Sequence, residues 1–259
     1  MENILFKKEG HIATITLNRP KALNAFSSAM LTELAEIFED ANKDNDIYCV
    51  ILNSACEKAF TAGGDVKEEN QMDAEAAYNF AVLGKRAMKA ISSFHCPVIT
   101  AVHGYCLGGG MEIILASDIT IAAKSSKIGI PTINLGGIPG WGATQMLPRL
   151  VGPSRAKDIL ITGRTLDADE CLRLNIIEYV AENDELMIKA KELAKIIADK
   201  PPIATQSMKE AIDKGMNMDF ESGLKLDNEI YAKCYNTEDH SEAMAAFLEK
   251  RPHNEYKNK

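Results

Sequence analysis

The clearest candidate for chemistry in this chain is a run of three glycines followed by a glutamate. Residues 97–102 are an apolar run typical of a short buried strand, and residues 113–118 are typical of a buried helix. The glycines at 108–110 lie between them, which predicts bare backbone N–H groups at a helix N-terminus, where negative charge is favoured. Glu112 follows Gly109 by about one helical turn, on the same face. We therefore expect an anion-binding N–H and a carboxylate in one pocket; glycine packing and a helix-start carboxylate without catalytic function are the alternatives.

A second glycine pair offers further backbone donors. Gly63 and Gly64 lie in the loop at residues 60–67, and Asp65 after them can cap a helix or brace the loop. A plain turn is the alternative interpretation.

Composition and charge exclude several functional classes. The chain has 259 residues, 46% of them apolar and 25% charged, as in ordinary globular proteins. Its formal net charge of −8 argues against a nucleic-acid-binding surface. We find no signal-peptide pattern and no apolar run approaching the roughly 18 residues of a membrane span. The six cysteines lack C-x-x-C spacing, which indicates unpaired thiols. We expect a cytoplasmic protein with no metal and no nucleic-acid or membrane partner.

The remaining pattern predicts a mixed α/β core followed by helices. Residues 4–17 alternate like a β-hairpin, Ser27 or Ser28 can cap a helix that runs to about Asn42, and residues 73–94 carry a helical apolar stripe. Three strand–loop–helix passages favour a coiled α/β core over a doubly wound sheet. Residues 128–144 are rich in glycine and proline, which predicts an irregular pocket wall, where Trp141 either lines the pocket or fills the core. Further helices are predicted at 156–160, 170–173, 185–197, 203–214, 220–235 and 238–249.

Several motifs together resemble the enoyl-CoA hydratase/isomerase (crotonase) superfamily over nearly the whole chain. They lie at residues 18–25, 60–67, 97–99, 104–112, 135–145 and 237–251. The resemblance implies an α/β fold, with a crotonase-like spiral of ββα repeats and an acyl-CoA site in residues 1–195. Residues 196–259 would form a C-terminal helical trimerisation region, giving a homotrimer or a dimer of trimers. The implied ligand is an acyl-CoA thioester, with coenzyme A as part of the substrate and no other cofactor.

The resemblance also assigns site residues. It places an oxyanion hole at the backbone N–H groups of Gly64 and Gly109, where two donors would stabilise the charge that develops on the thioester oxygen; losing one such donor costs about 3–4 kcal/mol. It matches Glu112 to one of the two catalytic glutamates of the family's hydratases. The implied substrate- and CoA-binding residues are Lys21, Ala22, Leu23, Ala62, Gly64, Asp65, Val66, Lys67, Gly109 and Trp141.

One position departs from the pattern of the hydratases. Their second glutamate would directly follow Pro131, where this chain has Thr132. Threonine can orient a water molecule but cannot titrate near neutral pH. If the enzyme is a hydratase, Glu112 must then act alone as base and acid, with Thr132 holding the water.

Other reactions of the superfamily are alternatives to hydration. Decarboxylases of malonyl-type CoA thioesters also lack the second glutamate, although their loop commonly carries histidine at the position of Gly64. Double-bond isomerases usually keep the missing acid. A non-catalytic acyl-CoA-binding protein is the alternative outside enzymes, and the sequence does not define the acyl group.

Overall fold

The predicted N-terminal hairpin forms one edge of the larger of two β-sheets. A computed structural model of the chain describes residues 3–259. Strands β1 (Ile4–Glu9) and β2 (Ile12–Leu17) pair antiparallel. Four parallel strands continue the sheet in the order β1-β2-β3-β5-β7-β10. These are β3 (Cys49–Ser54), β5 (Val98–Val102), β7 (Ile119–Ala123) and β10 (Tyr179–Ala181).

The smaller sheet consists of three-residue strands that the sequence pattern did not reveal. Its order is β4-β6-β8-β9, and its strands are β4 (Ala59–Thr61), β6 (Tyr105–Leu107), β8 (Lys127–Gly129) and β9 (Thr165–Asp167). The first three run parallel, and β9 pairs antiparallel with β8. Three residues are too few for an alternating pattern to stand out from loop sequence.

Eleven α-helices occur within residues 3–259. They are α1 (Ser28–Ala41), α2 (Val66–Glu69), α3 (Ala74–Ser92), α4 (Gly109–Ala116), α5 (Ala143–Val151), α6 (Pro153–Thr162), α7 (Ala168–Arg173), α8 (Leu186–Ala198), α9 (Pro202–Gly215), α10 (Phe220–Tyr235) and α11 (Glu238–Glu249). The N-cap of α1 is Ser27, whose side chain accepts a hydrogen bond from the Met30 N–H. Helix α5 was missed by the sequence analysis, although the segment from Ile130 to Gly142 before it is largely irregular, as predicted. None of the helices in the described part of the chain is long and apolar enough to cross a bilayer.

The strands alternate between the two sheets, which produces a coil. The pairs β3–β4, β5–β6 and β7–β8 each add one strand to the larger sheet and then one to the smaller sheet. Helix α3 follows the first pair and α4 follows the second. This is the ββα repeat predicted for the core.

The central parallel strands β3, β5 and β7 are buried on both faces, as expected for parallel strands. Alternate residues such as Val50, Leu52 and Val98 face the main core with helices α1, α3 and α4. The intervening residues, including Ile51 and Ile99, pack against α8. All six cysteines are free, and five of them are buried.

Helices α9 to α11 pack mainly on each other. Helix α10 has no buried residue, whereas α9 is joined to the core by an ion pair between Lys209 and Asp118, the residue before β7. The side chains of this pair are only 9% and 21% exposed, and Asp118 also accepts a hydrogen bond from the Val98 N–H at the start of β5. The pair therefore fixes the helical region to the sheet.

We predict that Lys209→Met lowers the free energy of unfolding by about 3 kcal/mol, because the largely buried Asp118 carboxyl would lose its cation and would be either charged without a partner or protonated at a cost. Urea unfolding followed by circular dichroism measures the change. Lys214 in the same helix forms an exposed pair with Glu210. Lys214→Met is the matched control and should cost less than about 1 kcal/mol; equal effects of the two substitutions would contradict the role of the buried pair.

Candidate active site

The two glycine turns meet because they follow neighbouring parallel strands. Strand β4 pairs with β6 through Thr61 and Cys106, so the turns after these strands lie at the same sheet edge. Gly63 and Gly108 have φ values of 98° and 52°, which side chains with a Cβ rarely adopt. A Cβ on Gly63 would lie 3.4 Å from the Cα of Gly108, so the two backbones are in contact.

Each turn contains an unpaired backbone donor. Two adjacent amides are engaged: the Asp65 N–H donates to the Phe26 carbonyl and the Gly108 N–H donates to the Gly129 carbonyl. The Gly110 N–H, in the first turn of α4, has no acceptor within residues 3–259. Among residues 3–259, the N–H groups of Gly64 and Gly109 have no acceptor. Gly109 is the first residue of α4, where an N–H has no partner within the helix.

Glu112 lies in the first turn of α4, with 3% of its surface exposed. Its Oε1 atom accepts hydrogen bonds from the backbone N–H groups of Trp141 at 2.8 Å and Ala143 at 3.0 Å. Ala143 is the first residue of α5, so the carboxylate of one helix is held at the N-terminus of the next. These two hydrogen bonds fix the position of the carboxylate.

Burial dominates the electrostatics of Glu112. Desolvation raises the pKa of its carboxyl to about 7, against the lowering effect of the Ala143 and Trp141 N–H groups and the charge of Lys85. A carboxyl with this pKa is present in both protonation states near neutral pH. It can therefore accept a proton in one step and donate it in the next.

Glu112 and the two free donors line one cavity of about 860 Å³. Seven of the predicted site residues lie on its wall: Ala62, Gly64, Val66, Gly109, Glu112, Thr132 and Trp141. A cavity of this size can accommodate the acyl part of a thioester.

The other predicted binding residues lie beside the cavity rather than on its wall. Asp65 forms an ion pair with Arg19 at 2.7 Å and caps α2 through the Lys67 N–H. The loop with Lys21, Ala22 and Leu23 is tied to the donor turn by a 2.9 Å hydrogen bond from the Ala62 N–H to the Leu23 carbonyl. The structure therefore places these residues next to the cavity.

Trp141 both lines the cavity and packs in the core. Its ring fills the space next to Gly84 and Gly109, where a Cβ on either glycine would overlap it. Phe26 and Phe80 contact the ring edge to face, with centroids 5.7 and 5.8 Å away. The ring thus positions the backbone N–H that holds Glu112.

Thr132 lies in a 3-10 turn, Pro131–Leu135, on the cavity wall. Its position beside the cavity agrees with the predicted place of the missing second acid, and its hydroxyl offers only hydrogen bonding there.

Two charged cavity residues escaped the sequence analysis. Glu69 ends α2, and Lys85 projects from α3. A Cβ on Gly64 would overlap Oε1 of Glu69, so this carboxyl lies directly against the donor turn. In the sequence, Glu69 is indistinguishable from its neighbour Glu68, and no pattern signalled that the short helix turns it inward.

We predict that Glu112→Gln stabilises the protein more at high pH than at low pH. The folded pKa of about 7 exceeds the reference value of 4.5, so the folded state binds the proton more tightly and the wild type loses stability as pH rises through this window. From about pH 5 to pH 8 the variant should gain about 2–3 kcal/mol relative to wild type.

Urea unfolding across this pH range provides the measurement. The exposed Glu75, at the start of α3, supplies the control Glu75→Gln, which should follow the wild-type pH dependence. A Glu112→Gln variant that also follows it would show that the carboxyl has an ordinary pKa.

Known proteins are similar to this chain in both sequence and fold. A family model described as enoyl-CoA hydratase/isomerase matches residues 7–258. A short-chain-enoyl-CoA hydratase of Clostridium acetobutylicum is 40% identical to this chain, and the alignment covers 100% of this chain and 99% of the relative. A crotonyl-CoA hydratase of Syntrophomonas wolfei is 37% identical, covering 98% of this chain and 97% of its own.

A solved structure extends the similarity to the whole coil. The crystal structure of an enoyl-CoA hydratase from Bacillus anthracis matches with a TM-score of 0.96 at 39% identity, covering 99% of this chain and 100% of that chain. The predicted crotonase-like fold and superfamily are thereby confirmed. This chain belongs to the enoyl-CoA hydratase/isomerase family and is an enzyme of that family.

Proposed function

We propose that this enzyme hydrates short 2-enoyl-CoA thioesters and catalyses the reverse dehydration of 3-hydroxyacyl-CoA. The observation that supports this most directly is the buried Glu112, with a pKa of about 7, in the same cavity as two unpaired backbone donors. The names of the relatives, short-chain-enoyl-CoA hydratase and crotonyl-CoA hydratase, agree with this reaction and with a short acyl chain.

In the proposed reaction the thioester oxygen accepts hydrogen bonds from the Gly64 and Gly109 N–H groups. Glu112 removes a proton from water as the oxygen of that water bonds to C3. The electrons of the C2–C3 double bond move onto the thioester oxygen, where the two donors stabilise the enolate. Glu112 then delivers the proton to C2, and its carboxylate is restored.

Thr132 is proposed to orient the water through its hydroxyl. The coenzyme A part would bind along Lys21, Ala22, Leu23, Ala62, Asp65, Val66 and Lys67, next to the donor turn. These residues border the cavity on the Gly64 side. Because the thioester oxygen is proposed to bind the Gly64 N–H, the thioester would enter the cavity on this side.

A second reaction is supported by Lys85. Because this cation acts on the Glu112 carboxylate and lines the cavity, it could bind the free carboxylate of a malonyl-type thioester. Loss of carbon dioxide would give the same enolate, which Glu112 could protonate. Thr132, which cannot titrate, is compatible with this decarboxylation.

Incubation with crotonyl-CoA and with methylmalonyl-CoA distinguishes the two reactions. We expect crotonyl-CoA to lose its conjugated absorbance as water adds, and Glu112→Gln to lower kcat by about 10²–10⁴-fold because the acid–base group is gone. The variant should still bind butyryl-CoA with wild-type affinity. Release of carbon dioxide from methylmalonyl-CoA without hydration would favour the second reaction. Tight binding of butyryl-CoA with neither reaction would indicate a binding protein.

We also propose that the enzyme is a cytoplasmic homotrimer or dimer of trimers, assembled through residues 196–259. Large apolar side chains are exposed on α9, at its C-terminal end and on α10 and α11: Met208, Ile212, Met216, Phe220, Phe247 and Leu248. Exposed apolar surface of this extent is typical of protein interfaces.

Analytical ultracentrifugation should therefore give a mass of three or six chains of 28.4 kDa. Phe220→Glu should shift the protein towards smaller species, because a charge in the interface would be desolvated without a partner. A monomeric wild type would contradict the proposed assembly.

A further inference from the structure

We propose that Glu69 is the second acid–base carboxyl of this active site and takes over the role that Thr132 cannot perform. The inference rests on the proposed hydration reaction and replaces its last step, because Glu69 rather than Glu112 would deliver the proton to C2. Its basis is a free carboxyl that lies in the same cavity as Glu112 and directly against the donor turn at Gly64.

The acidic residues around Glu69 have structural partners, whereas Glu69 has none. Asp65 pairs with Arg19, and the Glu68 carboxylate accepts hydrogen bonds from the N–H and hydroxyl of Ser28 at the start of α1. Within residues 3–259 the side chain of Glu69 has no hydrogen bond and no ion pair, although it is half-buried. A carboxyl that is partly desolvated without a structural partner destabilises the fold, so a function in the cavity would explain its presence.

The position of Glu69 is defined by the glycine beside it. Its Oε1 atom occupies the space that a Cβ on Gly64 would fill, so alanine at 64 would displace the carboxyl. The Gly64 N–H is the proposed donor to the thioester oxygen, and C2 and C3 are one and two bonds from the carbonyl carbon. Because the Glu69 carboxyl lies against this glycine, its side chain can reach C2 and C3 of the bound substrate.

The charge of the surroundings favours the neutral form of Glu69. Desolvation, together with the negative charges of Asp65 and Glu68, raises the pKa of its carboxyl. A protonated carboxyl can donate to the substrate, whereas an ionised one beside the oxyanion site would repel the enolate. The environment therefore suits a proton donor.

The proposed step balances with two carboxyls. The Glu112 carboxylate takes one proton from water, and the remaining hydroxide oxygen bonds to C3. As the enolate collapses, C2 takes the proton of the Glu69 carboxylic acid. The cycle leaves Glu112 protonated and Glu69 ionised, and one proton transferred through solvent in the cavity restores both.

Two substitutions at position 69 test this role with crotonyl-CoA as substrate. Glu69→Gln keeps the shape and polarity of the side chain, and Glu69→Met keeps its length. Both should lower kcat by about 100-fold or more while KM and the affinity for butyryl-CoA change less than about threefold. Glu75→Gln, an exposed glutamate outside the cavity, is the matched control and should leave kcat unchanged.

The double variant Glu69→Met/Thr132→Glu asks whether the two positions share one role. A carboxyl introduced at position 132 should raise kcat about tenfold or more above the kcat of Glu69→Met. A double variant no faster than Glu69→Met would overturn the shared role.

Other outcomes separate this inference from the proposed function. Wild-type kcat in Glu69→Met, or in Glu69→Gln, would overturn the acid–base role of Glu69; if Glu112→Gln is inactive in the same assays, the hydration mechanism with Glu112 alone stands. Failure of the wild type to hydrate crotonyl-CoA would instead overturn the proposed function and this inference together.

Discussion

The contact between the Glu112 carboxylate and the backbone N–H groups of Trp141 and Ala143 organises the candidate active site. It joins the start of α4 to the start of α5 across the cavity wall. Two effects compete at this carboxyl: burial disfavours the ionised form, while the N–H donors favour it. Burial prevails by enough to bring the pKa near neutrality, which is the condition for a group that must both take up and release a proton.

The coil of ββα repeats provides the second requirement, which is two free donors side by side. Because β4 and β6 are parallel neighbours in the smaller sheet, the loops that follow them leave the sheet at the same edge. Gly64 lies in the first of these loops and Gly109 begins α4 directly after the second. The two glycines are 45 residues apart in sequence and line one cavity. The ion pair between Lys209 and Asp118 then fixes the C-terminal helices to the same core.

Much of this arrangement was predictable from local sequence signals. The glycine pairs mark turns whose φ values side chains with a Cβ rarely adopt, and the spacing of Gly109 and Glu112 marks one helical face. The smaller sheet was not predictable because each of its strands is three residues long, and α5 was missed because it follows a segment dominated by glycine and proline. The inward direction of Glu69 depends on tertiary contacts of α2, which no periodic pattern records. The roles assigned to Lys21, Asp65 and Lys67 at the coenzyme A part stay predictions.

The packing of Trp141 has a consequence for any attempt to redesign the acyl pocket. The Trp141 ring shapes the cavity and packs against Gly84 and Gly109, and the backbone N–H of the same residue donates to the Glu112 carboxylate. The shape of the cavity and the pKa of Glu112 therefore depend on the same residue. A smaller ring at position 141, introduced to admit bulkier acyl groups, would let the main chain shift and would weaken its hydrogen bonds to Glu112. The variant would then differ from the wild type in pH optimum as well as in substrate range.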